Sequence, residues 1–276
     1  MKKACVIGWP ITHSRSPIIH GYWLKQLGIA GSYEKQAVEP ENLAAFLSGL
    51  SASGYVGCNV TIPHKEAAYG LSQPDEIAKR LKSANTLYLK DGQLWATNTD
   101  GEGFIQSLAA DVPDLKLAGK SAMVLGAGGA ARALIHALLD AGVEEVTLVN
   151  RSIEKAQAIA NEIGRKITVV DWDRREAALA QQSLLVNSTA LGMKGQPALD
   201  ISLDRLPAGA AVADIVYVPL ETALIGQAKA RGHRVSTGLG MLLHQAVRGF
   251  EIWFGQRPQV TAELRHLVEA DVMGGH

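Results

Sequence analysis

The chain has 276 residues, 47% of them hydrophobic and 20% charged, with 27 Lys and Arg against 27 Asp and Glu. That length accommodates two modest domains, each burying its own core. Balanced charge without a basic run argues against a nucleic-acid stripe or a polybasic membrane patch, which leaves a small molecule as the expected partner.

At the N-terminus, MKKACVIGWPITH has an apolar stretch broken by Gly8 and Pro10, unlike a secretory signal. No segment approaches the roughly 18 unbroken apolar residues of a membrane span. Cys5 and Cys58 lie in strand-like runs and are expected as buried free thiols, so the expected compartment is the cytoplasm.

Next comes GWPITHSRSPIIHGYW, in which Ser16 reads as an N-cap, Pro17 as a first helical residue and Gly28 as a helix end. A loop after the first strand of a parallel sheet lies at the carboxyl edge, where two hydroxyls beside a helix start make a carboxylate site. KACVIG, SYEKQAV and YVGCNV read as strands with helix-like segments between them. GYVGCNVTIPHKEAAYG then places Asn59, Thr61 and Lys65 where a strand gives way to a helix, with Pro63 expected in its first turn. A lysine in a first helical turn is mildly disfavoured by the dipole, so structure alone explains Lys65 poorly.

TLYLKDGQLWATN predicts a hairpin across Asp91-Gly92, an antiparallel edge closing the first sheet. Asp100 opens the next helix, over about 101–110, where an aspartate also serves as an ordinary cap. From Ser121 a fresh alternation begins: SAMVLGAG, EEVTLVN, KITVV, SLLVNST and AAVADIV are strand-like. The fold class expected is therefore α/β, with two α/β domains. Residues 1–100, completed by C-terminal helices 239–276, form a substrate and catalytic domain with a mainly parallel sheet, and 101–238 form a Rossmann-type domain.

Within the second domain, Gly126, Ala127, Gly128, Gly129 and Ala130 join a strand to a helix, as dinucleotide binding requires. The following strand ends at Asn150, where an NAD-binding protein usually carries an acid. With Arg151, Ser152 and Lys155 beside it, the pocket suits the 2′-phosphate of NADP, although Asn150 and Ser152 equally suit a helix cap. In NSTALGM, Asn187 and Thr189 either line the site or only shape a turn. Two scattered cysteines and histidines without H-x-x-x-H spacing suggest no metal site.

The ordered set SRSP, GCNVTIPHK, SANT, TNTDGEG, GAGGAARA, NRS, NSTALGM, DIVYVPLET and GLGMLLHQA closely resembles the shikimate dehydrogenase family, over about residues 5–250. One departure is KSANT, where members often show Gly-Ala-Val-Asn-Thr; the Asn-Thr pair survives. The resemblance implies reversible reduction of 3-dehydroshikimate to shikimate with NADPH, on the route to aromatic amino acids. It further implies that Ser14, Ser16 and Tyr217 bind the substrate carboxylate, and that Thr61, Asn85, Asp100 and Gln245 hold the ring hydroxyls. Lys65 and Asp100 would be the catalytic pair, either one carrying the proton. Ile215 and Gly238 match positions near the nicotinamide, and Glu76 a minor cofactor contact. His13 and His64 flank this site without matching a catalytic position. The rival readings are a quinate/shikimate dehydrogenase of relaxed specificity and a non-catalytic metabolite sensor. A monomer or homodimer is expected.

Overall fold

A computed structural model gives the fold and describes residues 1–164 and 166–274. Met1–Asp100 with Gln245–Asp271 make one compact unit, and the second is built on Gly101–His244.

The first unit runs β1 (Lys2–Gly8), α1 (Ser16–Gln26), β2 (Gly31–Ala37), α2 (Leu43–Ser48), β3 (Tyr55–Val60), α3 (Lys65–Gly70), β4 (Gln73–Pro74), α4 (Glu76–Leu81), β5 (Thr86–Lys90) and β6 (Gln93–Thr97). Its sheet has the order β2-β1-β3-β5-β6-β4. The first three strands are parallel, and β5 turns antiparallel to β3. Strands β1 and β3 bury nearly every residue, as strands covered on both faces must, and this is why they read as unbroken apolar runs. Cys5 and Cys58 face each other in the β1–β3 register, both free and buried.

Asp91 and Gly92 have φ of 52° and 74°, the pair of positive values a type I′ hairpin turn needs. The hairpin is not the sheet's edge, however, because β4 pairs with β6 outside it. Two residues are too short to leave an alternating pattern in the sequence. Two expectations about helix starts also change. Arg15, not Ser16, caps α1, so Ser16 is its first residue. Pro63 precedes α3, after a cis peptide bond, instead of lying in its first turn.

The second unit runs α5 (Asp100–Asp111), β7 (Ser121–Leu125), α6 (Gly129–Asp140), β8 (Glu145–Asn150), α7 (Ile153–Ile163), β9 (Ile167–Asp171), β10 (Leu184–Asn187), β11 (Ala211–Asp214), α8 (Ala223–Ala230) and β12 (Arg234–Thr237). All six strands are parallel, in the order β12-β11-β10-β7-β8-β9. This is the doubly wound Rossmann arrangement, whose strand order reverses between β7 and β10. The segment after β10 has no strand of its own but seals the core with Leu199, Ile201, Leu203 and Leu206.

Helices α9 (Gly238–Phe254) and α10 (Ala262–Gly274) end the described chain. From Gln245 onward α9 belongs to the first unit, where Phe250 and Trp253 are fully buried and the Trp253 indole donates to Leu87 O at 2.9 Å. The C-terminal helices thus pack back on the first sheet, and an indole N–H bonded to a strand carbonyl fixes their register on it.

Candidate active site

Sheet direction gathers the polar residues of the first unit. Strands β1 and β3 are parallel, so the loops after Gly8 and Val60 leave at one edge. Strand β5 runs the other way and β6 back again, so Asn85 enters and Asn98–Asp100 leave at that same edge. Main-chain bonds lock the loops together there: Thr61 N–H donates to Ile7 O at 2.9 Å, Val60 N–H to Asn85 O at 2.8 Å and Asn85 N–H to Thr97 O at 3.2 Å.

In the loop after β1, Ser14 Oγ lies 3.3 Å from Ser16 Oγ and accepts from Ser16 N–H at 3.3 Å. Ser14, which local capping rules leave unexplained, thereby accepts the first N–H of α1 from outside the helix. Arg15 between them is buried, ion-paired with Asp271 of α10 at 2.6 Å and donating from Nη1 to His13 O at 2.7 Å. Its charge is spent inside the fold, so the loop presents hydroxyls.

Lys65 opens α3, and its ammonium sits 2.6 Å from Asp100 Oδ2. Asp100 is nearly buried and its other oxygen, Oδ1, accepts from Asn85 Nδ2 at 2.8 Å. Asn85 in turn donates to Thr99 Oγ1 at 3.0 Å, and Thr99 donates to the main-chain oxygen of Gln245 at 2.8 Å. Both amide hydrogens of Asn85 are therefore engaged, and what it visibly does is aim the Asp100 carboxylate. Thr61 is half-buried beside the buried His64, whose ring lies 2.7 Å from Val38 O and pins the turn before Lys65. His13 is exposed. Glu76 stands on the exposed first turn of α4, 2.7 Å from Lys79.

In the second unit the loops after β7, β8, β10 and β11 share the carboxyl edge, with the strand reversal between β7 and β10. At Gly126 φ is +105°, and a Cβ would lie 2.8 Å from Ser188 Oγ, so only glycine turns the chain here. Ala127 is half-buried and Ala130 starts the helix with Gly129. A Cβ at Gly128 or Gly129 would meet nothing within 4 Å, and Gly128 caps α6 without a side-chain bond. Open space over a twelve-residue helix start whose first N–H groups lack a side-chain cap fits the pyrophosphate of a dinucleotide.

Asn150 Nδ2 donates to Ser152 O at 2.9 Å, which shapes the turn, and Arg151 and Lys155 are exposed beside it. Ser152 occupies the cap position of α7 yet does not cap it; its hydroxyl donates to Glu154 Oε2 at 2.8 Å. That bond and a main-chain bond hold the Glu154 carboxyl below the usual range, the main-chain bond being the larger cause. Two exposed cations and a hydroxyl with no acid at the strand end suit a phosphomonoester better than a free ribose hydroxyl. Near β11, Ile215 and Tyr217 are half-buried, and a Cβ on Gly238 would fall 2.3 Å from Ile215 O, so the two chain segments touch.

Asn187 and Thr189 shape a turn: Asn187 Oδ1 accepts from Thr189 N and Oγ1, and its amide donates to Leu191 O and to Asp214 Oδ1. Asp214 also accepts from Thr222 Oγ1 at 2.7 Å and Val216 N–H at 3.0 Å. Burial still pushes its carboxyl up, against the opposing pull of those bonds.

Comparison with known proteins identifies this pattern. Residues 6–87 match the shikimate dehydrogenase substrate binding domain, 107–218 the shikimate / quinate 5-dehydrogenase family and 238–262 the shikimate 5′-dehydrogenase C-terminal domain. A shikimate dehydrogenase (NADP(+)) of Rhodopseudomonas palustris (strain HaA2) is 57% identical over 269 residues, covering 98% of this chain and 96% of the relative. The chain belongs to the shikimate dehydrogenase family. Among solved structures, Thermus thermophilus shikimate 5-dehydrogenase in complex with NADP(H) and shikimate superposes with a TM-score of 0.87 at 35% identity, covering all of both chains. Quinate dehydrogenase from Corynebacterium glutamicum in complex with NAD gives 0.89 at 29% identity, covering 98% of this chain and all of that one.

Reading motifs of the shikimate dehydrogenase family alone does not single out Thr86, Thr99, Asp214 or the Arg15–Asp271 pair. Arg15, Thr86, Thr99 and Asp214 lie inside motifs visible in the sequence, but nothing there shows what each one bonds.

Proposed function

We propose that this chain is a shikimate dehydrogenase, catalysing the reversible NADPH-dependent reduction of 3-dehydroshikimate to shikimate on the route to aromatic amino acids. The observation that carries the chemistry is the Lys65 ammonium 2.6 Å from an Asp100 carboxylate whose second oxygen is held by Asn85. When bound, NADPH supplies the hydride that reaches the carbonyl carbon. Lys65 donates the proton to the developing alkoxide oxygen, and takes it back in the oxidation direction. Asp100 aims the ammonium: both its oxygens act as acceptors, one from Lys65 and one from an amide N–H that cannot accept, so the hydrogen-bond polarity favours Lys65 as proton carrier.

Ser14 and Ser16 are the hydroxyls on the substrate carboxylate, with Tyr217 as a third, and Thr61, Asp100 and Gln245 face the ring hydroxyls, Asn85 serving them through its bond to Asp100. Several positioned polar groups discriminate strongly, because a wrong ring leaves one of them unpaired. The glycine-rich turn 126–130 takes the pyrophosphate, Asn150, Arg151, Ser152 and Lys155 the 2′-phosphate, Ile215 and Gly238 the nicotinamide side, and Glu76 a minor cofactor contact. We read the enzyme as cytoplasmic and as a monomer or homodimer; no helix among the described residues is long and apolar enough to cross a membrane.

Initial rates with shikimate or quinate, each with NADP or NAD, test this reading. Shikimate with NADP should exceed every other combination by at least about tenfold. Comparable rates with quinate make it a relaxed quinate/shikimate enzyme, and ligand binding without turnover makes it a sensor. Cofactor choice has its own check. Arg151→Ala should raise KM for NADP about tenfold while leaving KM for NAD within about twofold, because only the 2′-phosphate needs the guanidinium. Equal changes would remove Arg151 from the phosphate site.

A further inference from the structure

A buried chain of side-chain hydrogen bonds runs from Tyr33 to the Lys65–Asp100 pair, and its direction is dictated by groups that have no choice. Asn85 O can only accept, so the Asn59 amide faces it with Nδ2, at 3.2 Å, and turns the same nitrogen to Thr86 Oγ1, at 3.2 Å. Asn59 Oδ1 is thereby left to accept from Tyr33 OH at 2.6 Å. Having accepted from Asn59, the Thr86 hydroxyl sends its own hydrogen to Asn85 Oδ1 at 2.9 Å. Thr99 N–H can only donate, and it also lands on Asn85 Oδ1, at 2.9 Å. Two donors on that oxygen force the amide nitrogen to the other side, where Asp100 Oδ1 accepts at 2.8 Å.

We propose that Thr86, oriented by Asn59, is a positioning residue of the reaction: it fixes which way the Asn85 amide faces and so holds Asp100 as an acceptor for Lys65. The inference rests on the dehydrogenase reading for its kinetic consequence, though the orientation of Asn85 is a property of the folded chain. A terminal amide has two nearly isosteric orientations, and reversing this one would set Asn85 Oδ1 against Asp100 Oδ1, oxygen to oxygen. Thr86 is fully buried and Asn59 nearly so, so water cannot substitute for either bond.

Thr86→Val keeps the shape and removes the hydroxyl, and Thr86→Ser keeps the hydroxyl and removes a methyl. In Thr86→Val kcat for shikimate oxidation should fall about tenfold with KM for NADP unchanged, and Thr86→Ser should restore kcat to within about twofold of the parent. The side-chain amide of Asn85, followed in protein labelled with ¹⁵N-asparagine, should give two sharp, slowly exchanging proton signals in the parent and in Thr86→Ser. In Thr86→Val these should broaden or average. Unchanged kcat or a sharp Asn85 pair in Thr86→Val overturns the proposal, as does a Thr86→Ser variant as slow as Thr86→Val, which would make the role one of packing. Should Thr86→Val not fold, Asn59→Asp carries the same test, since a carboxylate there meets an obligate acceptor and should also broaden the Asn85 pair. If the parent protein does not turn over shikimate, the dehydrogenase reading fails while the Asn85 signals alone still decide this one.

Discussion

Lys65→Ala is expected to lower kcat for shikimate oxidation by at least about 10²-fold, with KM for shikimate and NADP changed far less. The expectation follows from the position of the ammonium. Lys65 opens α3 with its ammonium on Asp100, in a turn that His64 anchors through Val38 O, so its place is set by the fold and not by side-chain wandering. A residue that only bound substrate would show itself mainly in KM, whereas loss of proton transfer shows itself in kcat. Asp100→Asn separates the two members of the pair. The amide can still accept at one oxygen, but its new N–H₂ must point at either Lys65 or the Asn85 amide, both of which are donors. Its kcat should therefore fall as well, though the Lys65 amine remains. Measured side by side by initial rates, a Lys65→Ala variant within about threefold of the parent would remove Lys65 from the chemistry and transfer the proton to another group.

How much of this was legible before the structure depended on what kind of signal each residue leaves. Strands β1, β3, β7, β8 and β10 announce themselves because burial on both faces demands unbroken apolar runs. Asp91-Gly92 announces its hairpin because few dipeptides accept two positive φ values. The glycine-rich turn and the SRSP, TIPHK and TNTDGEG loops are visible as departures from those runs. The short edge strand β4 was not visible because two residues carry no period, and β12 because Arg234-Val235-Ser236-Thr237 is mostly half-buried and makes no apolar run. Partners far apart in sequence were not visible either. Arg15 looks like a loop cation until Asp271, 256 positions later, takes its charge inside the fold. Asn59 and Thr86 look like the polar phase of a strand, and only the β3–β5 register shows that they bond one another beneath the Lys65–Asp100 pair. Asn187 and Thr189 were ambiguous because the same side chains that line a site can shape the turn that carries it; here their bonds go to the turn and to Asp214.

His20→Phe should flatten the fall in stability between pH 7 and pH 5 by roughly 2 kcal/mol. The imidazole is fully buried, stacked on Tyr33 with ring centroids 3.9 Å apart and walled by Trp23, Phe250 and Trp253. Burial among these rings pushes its pKa from 6.5 down to about 3, only partly opposed by the Asn59 amide beside it. The sign follows from where the proton prefers to bind. The unfolded chain takes it up near pH 6.5 and the folded chain only near 3, so the contribution of the neutral ring is complete above 6.5 and is lost progressively as pH falls toward 3. The slope is at most about 1.4 kcal/mol per pH unit, which amounts to roughly 2 kcal/mol between pH 7 and pH 5. Phenylalanine keeps the stack and cannot take a proton, at a cost of about 1–3 kcal/mol for its extra volume at every pH. The readout is therefore the difference in slope between the two proteins, not the stability of either. Urea unfolding at pH 7, 6 and 5 can be followed by tryptophan fluorescence, because four of the five tryptophans, Trp9, Trp23, Trp95 and Trp253, belong to the first unit. Parallel stability curves for the parent and His20→Phe would mean that the buried ring is protonated without cost, and would require a carboxylate or a water chain that the aromatic wall around His20 does not offer.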